Sequence, residues 1–114
     1  MLYRIADLSD WQQAQQTGLF ASTDLAAEGF IHSSEQHQIL ETARRYYVGQ
    51  SGLVLLEWDE DALAAAGVRV EREWVESRQE HFAHLFAAVP LAAVRRVWPF
   101  IVGPDGTATL PVDL

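Results

Sequence analysis

Hydrophobic and polar positions alternate along the chain in short blocks, and the spacing inside each block predicts an element. Leu2-Tyr-Arg-Ile5 reads as a short first strand. Ser9-Asp-Trp-Gln12 has the Ser-x-x-Gln form in which side chain and backbone cap each other, predicting a helix over about 9–17 closed by Gly18. Beyond the turn-like Ser22-Thr-Asp24, Phe30-Ile-His-Ser33 has strand character, and a helix over about 34–48 follows, with Ile39, Ala43 and Tyr46 or Tyr47 at helical spacing and Gly49 and Gly52 at its end. Leu53-Val-Leu-Leu-Glu-Trp58 is a nearly unbroken apolar run between glycine and acids, the mark of a strand covered on both faces. Asp59 to Ala66 predicts a short helix stopped by Gly67. From Val68 the chain alternates, placing Val68, Val70, Arg72 and Trp74 on one side and Arg69, Glu71, Glu73 and Val75 on the other, a strand with one polar face. Val94 to Val102, then Gly-Pro-Asp-Gly106, then Thr107 to Leu110 predict a terminal hairpin.

Strands near both ends with helices in the first two thirds predict an α+β fold, and 114 residues without a repeat, linker or low-complexity tract make a single domain over 1–114. Residues are 49% hydrophobic and 21% charged, which is ample for a packed core. The four tryptophans, Trp11, Trp58, Trp74 and Trp98, are expected mostly in that core. A net charge of −8 repels a polyphosphate backbone, and the only basic pairs are Arg44-Arg45 and Arg95-Arg96, so nucleic acid is disfavoured as a partner. The absence of cysteine removes disulfides, thiolate nucleophiles and zinc–thiolate sites. The start, MLYRIADLSDW, has no charged leader followed by an apolar run, and no stretch of about 18 apolar residues occurs, so no membrane partner and a cytoplasmic location are expected.

Chemistry concentrates in Glu28-Gly-Phe-Ile-His-Ser-Ser-Glu-Gln-His-Gln38. Two readings stand side by side. Ser33-x-x-Gln36 is a second capping-box pattern, worth about 1 kcal/mol with or without a ligand. Alternatively, the free N–H groups and dipole of the helix start form an anion site to which Ser33 and Ser34 add hydroxyls. His32 alternates with Phe30 and Ser34, toward either an interior or a cleft, where its imidazole is a satisfied core group or a site residue. His81-x-x-His84 would share a face if helical, but His32, His37, His81 and His84 match no fixed metal spacing, so no metal is expected. No Gly-x-Ser-x-Gly elbow, P-loop or dinucleotide-binding glycine fingerprint is present. Glu71 and Glu73 are either a solvated edge or part of a site. Arg4, among apolar neighbours, calls for a carboxylate or phosphate because its charge is permanent.

Tyr3-Arg-Ile5, Glu28-Gly-Phe-Ile-His-Ser-Ser34 with Gln36, Val70-Glu71 and Phe82-Ala-His-Leu-Phe86 together resemble domain-of-unknown-function family number 952 over nearly the full chain. That family resembles the ADP-ribosyltransferase-like fold, which implies small split antiparallel β-sheets with two or three helices and NAD in the cleft between the sheets. On this resemblance Arg4, Ser33, Ser34 and His84 would hold the nucleotide, and Glu71 and His32 would be the catalytic residues, His32 shaping the nicotinamide pocket and Glu71 stabilising positive charge building on the ribose, giving ADP-ribose transfer or NAD hydrolysis. The chain departs from the family pattern at Arg4, where His is usual, and at Ala83, Phe86 and Ala87 in a Phe-Pro-His-Leu-Tyr-Gly segment. A non-catalytic module that binds a small anionic metabolite or a protein partner through the same cleft is the reading from a different class.

Overall fold

The computed structural model describes all 114 residues. Its first strand, β1, runs Leu2–Asp7 and leads into helix α1, Leu8–Thr17. The helix starts at Asp7 without a side-chain cap, so the Ser9-to-Gln12 capping box does not form; Gly18 closes it as expected. A two-residue strand β2 (Leu19–Phe20) precedes helix α2 (Thr23–Glu28), where the sequence suggested only a turn. Six residues are too few to display a helical period, and α2 ends on Gly29, whose φ of 90° lets the chain reverse into strand β3 (Ile31–Ser33).

The next helix begins later than the sequence suggested. Ser34 is held as strand by a two-bond bridge to Tyr3, N–H to carbonyl at 2.9 and 2.8 Å, so a 3-10 turn (Gln36–Gln38) and helix α3 (Ile39–Tyr46) replace the span 34–48. The cap is accordingly Glu35 with Gln38, whose Oε1 accepts from the Glu35 N–H at 2.9 Å, and not Ser33 with Gln36. Strand β4 (Leu53–Trp58) is buried at every position because it is central in an antiparallel sheet, between β1 and the last strand, Val94–Phe100. Val54, Leu56 and Trp58 pack into one core with Leu2, Phe20, Ile31 and Leu85. Leu53 and Leu55 pack on the opposite face with Ile5, Ile39, Ala43 and Phe100.

After helix α4 (Glu60–Ala65), capped by Asp59 through the N–H groups of Asp61 and Ala62, strands β5 (Val70–Val75) and β6 (Glu80–Leu85) form a hairpin. With β3 they make a second sheet, β3-β6-β5. β5 is its edge, and Trp74 lies 50% exposed there, so the expected apolar face of this strand is largely open. Segment 80–85 being a strand puts His81 and His84 on opposite faces, which ends the shared-face arrangement that a helix would have given. Strand β7 (Val89–Pro90) pairs with β2, and β8 (Val94–Phe100) completes the first sheet. Thr107 to Leu110 form no strand; the Gly103-Pro-Asp-Gly106 turn closes on itself, with the Gly103 N–H on the Thr107 carbonyl at 2.8 Å. Only Trp58 of the four tryptophans is fully buried.

The result is an α+β fold with two small three-stranded antiparallel sheets joined at the Tyr3–Ser34 bridge, and with four helices in place of two or three. No helix is long and apolar enough to cross a membrane.

Candidate functional site

Beyond the Tyr3–Ser34 bridge, β1 and β3 part company, and a cleft of about 450 Å³ opens between the sheets. That volume is in the range of small-molecule sites. Arg4, His32, Ser33 and Ser34 line it together with Asp24 and Glu28 of α2 and Thr42, Tyr46 and Tyr47 of α3 or its end. Arg78 from the β5–β6 turn and Phe82 of β6 complete the far wall. α3 reaches the cleft through Thr42 and Tyr46, whereas the 3-10 turn before it does not line the cleft.

Asp24 organises the near wall. Its Oδ2 accepts from Arg4 Nη1 at 2.8 Å, from the His32 N–H at 2.9 Å and from His32 Nδ1 at 2.9 Å, while its Oδ1 accepts from the Ser22 hydroxyl and from the Leu25 N–H. Burial alone would raise the carboxyl's pKa, but the His32 hydrogen bond and the Arg4 charge outweigh it and hold the group well below the usual aspartate range. The carboxylate that Arg4 calls for is thus supplied from within the protein. Arg4 Nη1 also donates to the His32 carbonyl at 3.1 Å, pinning β3 to β1.

The paired serines divide their work. Ser33 Oγ accepts from the buried Trp58 indole at 3.1 Å, a core function, whereas the Ser34 side chain makes no hydrogen bond and lies at the cleft. Ser33→Ala should therefore cost about 1–3 kcal/mol by orphaning the indole N–H. Ser34→Ala should leave stability nearly unchanged. Denaturant titrations followed by tryptophan fluorescence measure the difference, and equal losses would refute this division.

Tyr3 donates to Glu57 Oε2 at 2.8 Å; burial first, and then this bond, push its hydroxyl up to about 12. Tyr47 donates to the Ile5 carbonyl at 3.2 Å, and burial raises its pKa too. Both rings are therefore neutral walls of the cleft at physiological pH.

Two residues assigned to the site by sequence lie outside the cleft lining. Glu71 and His84 are register partners on the same sheet face as His32, yet Glu71 is 51% exposed, with Arg69 at 3.4 Å. His84 is buried, stacked on Phe30 at 4.0 Å, with Nδ1 2.8 Å from Glu73 Oε1 and Nε2 without a partner. No three His, Asp or Glu side chains are arranged to hold a metal ion.

The residue that sequence reasoning missed is Arg78. All eight cationic side chains are arginines, and seven have a carboxylate within 4 Å. Arg78 has none. Its Nη1 donates to Thr42 Oγ1 at 3.0 Å, its Nη2 is shielded and unpaired, and its guanidinium sits 4.5 Å from the Phe82 ring centroid and 5.7 Å from that of Tyr46. Asp24 was missed too, hidden in what looked like a turn.

Comparison with known proteins places these features in a family. The pattern of the family described as protein of unknown function (DUF952) matches residues 5–97. The chain is also similar to protein CC0527 from Caulobacter crescentus. Its crystal structure superposes with a TM-score of 0.80 at 30% identity, covering 95% of this chain and 92% of that one. A double mutant of CC0527 gives the same values, and its solution NMR structure gives a TM-score of 0.74 at 30% identity, covering 99% and 95%. Among curated proteins none matches.

Proposed function

Since the chain belongs to the DUF952 family, we propose from the chemistry of its cleft that it binds a small organic anion there, the anion pairing with Arg78. The single observation behind this reading is the Arg78 guanidinium, which lacks a carboxylate in a chain of net charge −8 and keeps one donor both shielded and unpaired. A donor left in that state costs about 1–3 kcal/mol, and an oxyanion reached by a small side-chain movement would recover it. The guanidinium's planar fork suits a carboxylate or phosphate, and the Phe82 and Tyr46 rings lie within cation–π distance of it.

NAD as the ligand, with ADP-ribose transfer or hydrolysis, is the finer reading implied by the resemblance. Arg4, His32, Ser33 and Ser34 favour it by sharing the cleft. It needs a carboxylate at the scissile bond, however, and Glu71, to which the resemblance gives that role, lies outside the lining, Asp24 is fully engaged, and only Glu28, to which the resemblance gives no role, is left free in the cleft. Simple binding therefore has the stronger geometric support.

A thermal-shift panel of benzoate, inorganic phosphate, NAD and ADP-ribose separates the two, because a ligand of the folded form alone raises the melting temperature with concentration. Benzoate is expected to raise it, and Arg78→Gln to remove the effect. Release of nicotinamide from NAD, abolished in Glu71→Gln, would instead establish the enzymatic reading. No shift with any anion would overturn both.

A further inference from the structure

We infer that the ligand of this cleft is a zwitterion, a small α-amino-carboxylate with an apolar side chain, whose carboxylate pairs with Arg78 and whose ammonium pairs with Glu28; this rests on the anion-binding reading above. Apart from His32, which shares Asp24, four charged side chains line the cleft and set its charge: Arg4, Arg78, Asp24 and Glu28. Arg4 and Asp24 neutralise each other at 2.8 Å, and both Asp24 oxygens are already occupied. One cation and one anion remain. Glu28 accepts no hydrogen bond; its nearest cationic group is His32 Nδ1 at 3.8 Å, and that nitrogen already lies 2.9 Å from Asp24.

The sum of these charges decides the ligand class. Two positive and two negative groups make the cleft neutral, so a diphosphate or dicarboxylate would leave it with an excess of negative charge. A lone carboxylate would satisfy Arg78 and bring its own charge toward an unmatched Glu28. A ligand carrying one charge of each sign matches both groups and keeps the cleft neutral.

Spacing agrees with charge. Glu28 lies by His32, whereas Arg78 lies by Phe82, which stands beside Ser34 if the β3–β6 register continues one residue past Ser33–Ala83. His32 and Ser34 are two residues apart along extended chain, roughly 7 Å. An offset this short favours a ligand whose two charges are close together, as they are on an α-amino acid. Phe82, Tyr46, Tyr47, Val75 and Ile5 give the remaining walls an apolar surface for the side chain.

Calorimetric titration with L-phenylalanine, 3-phenylpropanoate and phenethylamine tests this, the second probe lacking only the ammonium and the third only the carboxylate. Phenylalanine is expected to bind at least about tenfold more tightly than either. Glu28→Gln should bring the phenylalanine and 3-phenylpropanoate affinities together, and because Glu28 is half exposed and accepts no hydrogen bond, the variant should fold. Equal wild-type affinities for phenylalanine and 3-phenylpropanoate, both lost in Arg78→Gln, would overturn the zwitterion and leave the anion reading standing. Phenethylamine binding as well as phenylalanine, with Arg78→Gln without effect, would overturn both. Absence of binding by all three probes would overturn the amino-acid assignment.

Discussion

Arg78→Gln is expected to weaken carboxylate binding by about 10²-fold, equivalent to roughly 2–3 kcal/mol for a charge-assisted hydrogen-bonded pair. Gln retains a donor but is shorter by two atoms, and it loses the charge and the two-pronged geometry. Arg78→Lys should recover only part of the loss, because an ammonium keeps the charge but cannot present a planar fork. The free protein should hardly notice either change. Truncation gives up the 3.0 Å bond to Thr42, and it also removes the unpaired Nη2 donor, so two effects of about 1 kcal/mol oppose each other. Calorimetric affinities beside urea midpoints check the prediction: loss of affinity at constant stability supports a ligand role, whereas a large drop in stability would recast Arg78 as a structural residue.

Asp24→Ala carries the largest expected cost in stability, about 3 kcal/mol, because it breaks a largely shielded ion pair and leaves the Arg4 charge without its carboxylate. The two side chains are 14% and 11% exposed, so water can relieve little of this. The variant also frees the His32 N–H, the Ser22 hydroxyl and the Leu25 N–H, loosening α2 and β3 together. The pH dependence has a definite sign. Asp24 titrates lower in the folded protein than in the unfolded chain, so its contribution is fully present above the ordinary aspartate value of roughly 4 and is lost as pH falls toward the depressed folded value. Urea titrations at pH 7 and pH 3 should therefore show the gap between wild type and Asp24→Ala narrowing at the lower pH. A gap independent of pH would mean that the ionised carboxylate is not the source of the stabilisation.

What could be read from the sequence follows the length and regularity of each signal. Leu53–Trp58 announced itself as a strand buried on both faces, and both core layers do meet there. Gly18 and Gly67 marked helix ends correctly, since positive φ at those positions is a local requirement. Helix α2 was not legible, because TDLAAE covers fewer than two turns. Strand β6 escaped for a different reason: EHFAHL is buried over its last four residues and shows neither a two-residue nor a helical period. The capping boxes at Ser9 and Ser33 illustrate how a short pattern yields to tertiary pairing; Ser33 serves Trp58, and Ser34 is claimed by Tyr3 before the helix can begin.

The site shows the same division. Arg4 and His32 were visible because a charged or polar residue stands among apolar neighbours, and they meet on Asp24. Arg78 sits in a polar segment, Glu76 to Glu80, where an arginine attracts no notice. What distinguishes it is the absence of a carboxylate and the presence of Thr42, Tyr46 and Phe82, all relations across the fold.

With no lysine and only eight arginines, the guanidinium groups can be followed individually by proton–nitrogen NMR as benzoate or phenylalanine is added. A cleft that takes its anion at Arg78 predicts saturable movement of the Arg78 Nε and Nη signals, with those of Arg44, Arg69 and Arg95 unmoved. Saturable binding that leaves the Arg78 signals in place would contradict it.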